Sequence, residues 1–126
     1  MILLGALAFL PGLAMAQEKQ RKKGGGESYI QINTLTGTII RPDGRRGVMT
    51  VEAGVDVPDP ALFARADASL PRLRAAYTEV IITYAAGLPA YAAPNADYLS
   101  RELQRQTDLV LGRPGARLLL GTILVN

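Results

Sequence analysis

The chain contains no cysteine and no histidine. Without cysteine there are no disulfides, so any fold must rest on its own core. Cysteine and histidine also supply most zinc and copper ligands, and histidine is the usual general base near neutral pH. Their joint absence removes Ser-His-Asp, Cys-His and histidine–metal chemistry together. Lysine is missing beyond Lys23, so the net charge of +3 belongs mostly to one short segment. The remainder is close to neutral, which argues against a basic nucleic-acid-binding face. No apolar run reaches the roughly 20 residues that a membrane-crossing helix needs.

The longest apolar run, Ile2 to Met15, opens the chain and contains Pro11. It ends in Ala14-Met15-Ala16, a small-x-small pattern, and the polar Gln17-Glu18-Lys19-Gln20-Arg21-Lys22-Lys23 follows at once. This is the layout of a secretory signal peptide over residues 1–16, cleaved after Ala16. The expected location is therefore the periplasm. The alternative is an uncleaved N-terminal segment that anchors the chain in the inner membrane. Met1 leads directly into the apolar run with no basic n-region, and an upstream extension would supply a longer anchor or a twin-arginine pair. Residues 17–27 form a basic, Gly-rich linker ending in Gly24-Gly25-Gly26. Its other reading is a patch in which Lys19, Arg21, Lys22 and Lys23 contact an anionic inner-membrane surface.

A single domain is expected over residues 28–126. Tyr29 to Ile40 is rich in Ile, Thr and Tyr, as strands are. Ile30 and Ile32 share one parity, whereas Leu35, Gly37 and Ile39 share the other, which predicts a bulge near Asn33-Thr34. Pro42-Asp43-Gly44 is a turn. Gly47 to Val57 alternates, with Met49, Val51, Ala53, Val55 and Val57 on one face, and completes a hairpin. Asp59 caps a short helix from Ala61 to Ala68, opened by Pro60. Ser69 is a second cap, and the helix restarts and runs to about Ala86, with the stripe Leu70, Leu73, Tyr77, Val80, Ile81 and Tyr84. Asn95 caps a helix to about Leu111, with Leu99, Leu103, Gln106 and Val110 as its stripe. Arg117 to Val125 is apolar without alternation, which predicts a strand inside the sheet with both faces covered. The expected fold is α+β: a small three-stranded sheet in β-β-α-α-β order with helices packed on one face.

The carboxylates are the remaining acid–base candidates. Asp56 and Asp59 flank Val57-Pro58 at a strand-to-helix junction. The preference of helix N-caps for Asp makes Asp59 a cap and Asp56 a solvated strand residue. Glu79 reads as a surface residue beside the helix stripe. Arg45-Arg46 reads as a solvated hairpin tip, because Pro42 to Gly47 lacks the glycine spacing and following helix of a phosphate loop. Tyr77 and Tyr84 read as core. No catalytic, cofactor-binding or metal-binding residues are assigned, and no cofactor is expected.

Gly47 to Val57 followed by Asp59, the helix start Leu70-Pro71-Arg72-Leu73-Arg74-Ala75-Ala76, the pair Glu102-Leu103, and the closing Leu124-Val125-Asn126 together resemble the periplasmic domain of the flagellar basal-body-associated FliL family. That domain is similar to the stomatin/prohibitin domain. The resemblance covers residues 28–126. It implies a non-enzymatic accessory or scaffolding role in bacterial motility, with weak homo-oligomerisation through a sheet edge or the long helix and flagellar stator subunits as partners. The family carries an uncleaved transmembrane helix where this chain has a shorter, signal-like run. The other function class is a soluble periplasmic binding or scaffolding module unrelated to motility.

Cleavage after Ala16 predicts a mature protein that starts at Gln17. Mass spectrometry of the chain from the exported fraction checks this, and recovery of an intact Met1 terminus in membranes would restore the anchor.

Overall fold

A computed structural model describes residues 26–126. The signal segment, and the linker up to Gly25, lie outside the described residues. The order is β1 (Tyr29–Ile40), β2 (Arg46–Asp56), α1 (Pro60–Ala68), α2 (Leu70–Gly87), α3 (Ala96–Leu111) and β3 (Arg117–Val125). This is the expected α+β arrangement, with the interrupted helix appearing as α1 and α2. The sheet is antiparallel throughout, in the spatial order β1-β2-β3.

The alternation of β2 is carried straight into packing. Met49, Val51, Ala53, Val55 and Val57 are all buried. The β1 pairing shifts between Ile32 and Leu35, so the two parities of β1 reach one face through a bulge. Ile30, Ile32, Leu35 and Ile39 are consequently all in the core. The turn closes with Gly44 N–H donating to Arg41 C=O at 2.8 Å, and Gly44 takes a φ of 84°. Asp43 Oδ1 accepts from Arg45 N–H at 2.9 Å, the local bond for which turn aspartates are favoured.

Two caps form as the sequence implies. Asp59 accepts from Leu62 N–H at 2.8 Å, and Asn95 from Tyr98 N–H at 3.0 Å. Ser69 does not cap with its side chain; its hydroxyl oxygen accepts from Arg72 at 3.3 Å instead. The reason is its backbone, at φ −99° and ψ 7°, which keeps the chain turning from α1 into α2 rather than extended as a capping residue is. The stripe of α3 also differs from expectation. Leu99, Leu103, Thr107 and Leu111 are buried, while Gln106 and Val110 are half-buried. Steps of four bring Thr107 inward because Tyr77 of α2 offers it a hydrogen-bond partner.

The largest departure is β3. It pairs beside β2 as expected, but it is an edge strand and its faces are not both covered. Leu118 is buried, whereas Leu124 is 55% and Val125 46% exposed. A continuous apolar run signals two covered faces only where helices lie on both sides of a sheet. Here the helix contacts of the sheet are to β1 from α2 and to β3 from α3.

Core closure depends on α2 and α3. Tyr77, fully buried, bonds to the Thr107 hydroxyl, which itself donates to Leu103 C=O at 2.8 Å. The single Thr107 proton is used there, so Tyr77 donates. Burial pushes the Tyr77 phenol up to about 12. The C-terminal carbonyls of α3 accept from other helices: Leu111 C=O from Arg65 at 2.9 Å and Val110 C=O from Arg72 at 3.4 Å. Two cations thus sit at the negative end of a helix whose own last turn has no basic residue.

Three substitutions follow from this packing. Leu73→Ala removes a side chain with no exposed surface and should cost about 2–5 kcal/mol. Thr107→Val strands the buried Tyr77 hydroxyl and should cost about 1–3 kcal/mol, whereas Tyr77→Phe leaves Thr107 bonded to Leu103 and should cost less. Urea unfolding of the three variants checks the order, which is wrong if Tyr77→Phe proves worse than Thr107→Val.

Candidate functional site

The carboxylates singled out in the sequence are engaged locally. Asp56 accepts from the Ser28 hydroxyl, and Ser28 C=O accepts from Val57 N–H at 2.8 Å, so the pair clamps the start of β1 to the end of β2. Asp59 combines its cap with an ion pair to Arg113 at 2.8 Å. The Leu62 N–H, and after it the Arg113 guanidinium, hold the Asp59 carboxyl below its ordinary range. Glu79 is exposed, as expected of a surface residue. Arg45 and Arg46 lie exposed at the hairpin tip. Among the described residues, no group of three or more acidic side chains is placed to hold a metal ion.

Among the described residues, charged side chains line a groove and a hollow. Glu79 and Glu102 line a groove of about 290 Å³ between α2 and α3, with Val80 and Tyr98. Glu102 is paired with Arg105, whose hydrogen bond lowers the Glu102 carboxyl. Tyr98 stacks on Tyr84 at 5.5 Å between ring centroids, and the Tyr84 hydroxyl oxygen accepts from Asn95 N–H at 2.7 Å. Tyr84 therefore anchors the start of α3 rather than lying in the core with Tyr77. A second hollow, of about 250 Å³, is lined by Ala61, Leu62, Arg65 and Arg113. Both arginines there are committed, to Leu111 C=O and to Asp59.

The surface that has not been used by the fold is the sheet face away from the helices. The register places Thr36 opposite Thr50, Thr38 opposite Val48, and Leu124 opposite Thr50 on the other side. Ile40, Val48 and Leu124 are about half-exposed there. At the far end the Tyr29 ring lies over Gly54, where a side chain of any size would collide with it. Burial, and then the Glu52 charge, raise the Tyr29 phenol above its ordinary value. Among the described residues, the outer face is thus threonine-rich, partly apolar and uncovered.

Sequence reasoning missed the role of Gln104. Its side-chain amide donates to Ala116 C=O and its oxygen accepts from Leu118 N–H, both at 2.8 Å. The carboxamide stands where a neighbouring strand would be and covers the first outward groups of β3. The i, i+4 spacing of Gln104 and Asp108, a Gln–Asp pair that bonds at 3.0 Å, was the available signal. The basic cluster Lys19, Arg21, Lys22 and Lys23 lies outside the described residues.

No family model matches the chain, and no curated protein matches it either. Among the described residues no helix is long and apolar enough to cross a membrane.

Stability should respond to acid through Asp59. Its folded-state carboxyl lies below its unfolded value, so its contribution is present above the ordinary carboxylate range and is lost as pH falls through the lowered value. Asp59→Asn should therefore melt below the native chain at neutral pH, and the gap should close on acidification. Thermal melts across a pH series check the sign; a gap that widens in acid contradicts it.

Proposed function

We propose that the chain is an exported, non-enzymatic accessory domain of the FliL type, acting through protein–protein contact in the neighbourhood of flagellar stator subunits. The observation that carries this reading is the one-sided sheet. Helices α2 and α3 lie against one face, while the other presents half-exposed Ile40, Val48 and Leu124. Apolar side chains gathered on an otherwise unused face mark interaction surfaces more often than chemistry. The element order supports the same reading, because it is the order expected from the resemblance. So does the local engagement of Asp56 and Asp59, each of which has a fold-building partner.

Weak self-association belongs to this reading. A small three-stranded sheet supplies a limited contact, so the isolated chain associates at best in the micromolar range, and attachment to a membrane raises the local concentration. The basic cluster Lys19 to Lys23 is the segment suited to an anionic inner-membrane surface.

A soluble periplasmic scaffolding module is the second reading. It is favoured by Ala14-Met15-Ala16, because cleavage there removes the apolar run that would serve as a tether.

Sedimentation of the purified chain over a concentration series separates them. A concentration-dependent rise in mean mass is expected. A strict monomer at millimolar concentration would remove the self-associating reading and leave the soluble module.

A further inference from the structure

Among the described residues nothing covers the outward backbone groups of β1 beyond its bulge, whereas the Gln104 carboxamide covers the start of the β3 edge. Val48 donates to and accepts from Asn126, at 3.0 Å in each direction, so its backbone groups face β3. Thr38 is the residue opposite Val48 on β1. In an antiparallel pair a position whose partner faces away has its own N–H and C=O facing away too. Thr38 therefore presents both groups to the open edge, and the alternation extends this to Thr36 and Ile40. Their side chains lie on the outer sheet face, with Gly37 and Ile39 turned to the helices. The segment Leu35–Ile40 is paired without interruption, since the bulge lies before Leu35.

Helix α2 overhangs this edge. An ideal Cβ on Gly37 would lie 2.8 Å from Ala85 Cβ and 2.9 Å from Ile81 C=O, so the helix rests directly on the strand. The next residues round the helix, Ile82 and Ala86, project beside it, and Ile82 is 49% exposed although it is a large aliphatic side chain. Thr36, Gly37, Thr38, Val48, Ile82 and Ala86 together line a groove of about 370 Å³. None of them carries a charge.

We propose that this groove binds an extended peptide segment of a partner protein by strand addition to Leu35–Ile40. The hydrogen-bonding groups of Thr36, Thr38 and Ile40 require a backbone in extended conformation. The apolar shelf of Ile82 and Ala86 selects aliphatic residues at every second position of that segment. The uncharged lining selects against charge at those positions, because a charged group there would be desolvated without a partner. The occupant is not β3 of a second copy. Gln104 already fills the outward groups at Ala116 and Leu118, and the β2–β3 register breaks between Ala53 and Val51, opposite Leu120 and Ile123. That edge offers no unbroken run to match Leu35–Ile40. The proposal goes beyond the scaffold reading and requires no self-association.

Amide hydrogen exchange on the purified full-length chain tests it, with the peptide acetyl-Ser-Val-Thr-Val-Thr-Val-Ser-amide as probe and the same peptide with Lys in place of Val as control. The expected result is that the valine peptide slows exchange at Thr36, Thr38 and Ile40 by at least about tenfold, as new main-chain bonds of ordinary strength require. Gly37 and Ile39, already bonded to β2, should change little, and the Lys peptide should protect nothing. Ile82→Lys, at an exposed position that leaves the core intact, should abolish the protection. Thr38→Pro should do the same, since it removes only an N–H that faces the open edge. Absence of protection with the valine peptide at millimolar concentration overturns the proposal. Protection confined to β3 overturns it as well. If Ile82→Lys instead dissociates a dimer seen in sedimentation, a second copy is the occupant and the peptide assignment falls. A monomer in sedimentation with Thr36 and Thr38 protected leaves this proposal standing and removes only the self-association.

Discussion

The contact of α2 with β1 at Gly37 is the constraint from which the rest of the arrangement follows. A helix backbone this close to a strand is possible only where the strand has no side chain, and Ala85 is the matching small residue above it. Steps of four along α2 then fix what lies under the same helix face: Leu73, Tyr77, Ile81 and Ala85 are its buried residues. With the helix pinned at that height, Tyr77 is placed to reach Thr107 of α3. The orientation of α3 is thereby tied to a contact on a different strand.

Polar groups complete what the apolar core begins. Arg65 and Arg72 reach from α1 and α2 to the last carbonyls of α3, and Gln104 reaches from α3 to β3. Each joins separate elements, and each satisfies a backbone group that would otherwise lie at a helix end or sheet edge. The same contacts explain an asymmetry between the two edges of the sheet. The start of β3 is covered by the Gln104 carboxamide, whereas Thr36 and Thr38 of β1 have no such cover among the described residues. An apolar overhang beside free backbone groups is a different surface from a flat outer face, and one domain presents both.

Much of this architecture was legible in the sequence because period and turn chemistry are local. The parity change between Ile32 and Leu35 announced the bulge, the alternation of β2 announced its buried face, and Asp59 and Asn95 announced two helix starts. Ser69 misled because a capping residue type was read without its backbone, which the tight α1–α2 junction holds near the turn region. For α3, steps of three and four from Leu103 lead equally to Gln106 and to Thr107, and only the Tyr77 partner on another helix decides for Thr107. The carboxylates were read correctly as fold-building at Asp59, whose bond lies within one helical turn. The Ser28 partner of Asp56 lies at the far end of a hairpin and left no local mark.

The sequence by itself determined the elements, their order and the types of chemistry that lack their usual residues, because periodicity, caps and composition need no knowledge of the third dimension. Tertiary structure alone decided the place of β3. An apolar strand is central or peripheral according to where helices of a given length can lie, and here β2 took the centre while Leu124 and Val125 were left half-exposed. It also decided which residues of β1 turn their backbone groups to the edge beside Ile82. The direction of those groups is set by register with β2 and, through Val48 and Asn126, by β3, a relation among three strands that no single segment contains.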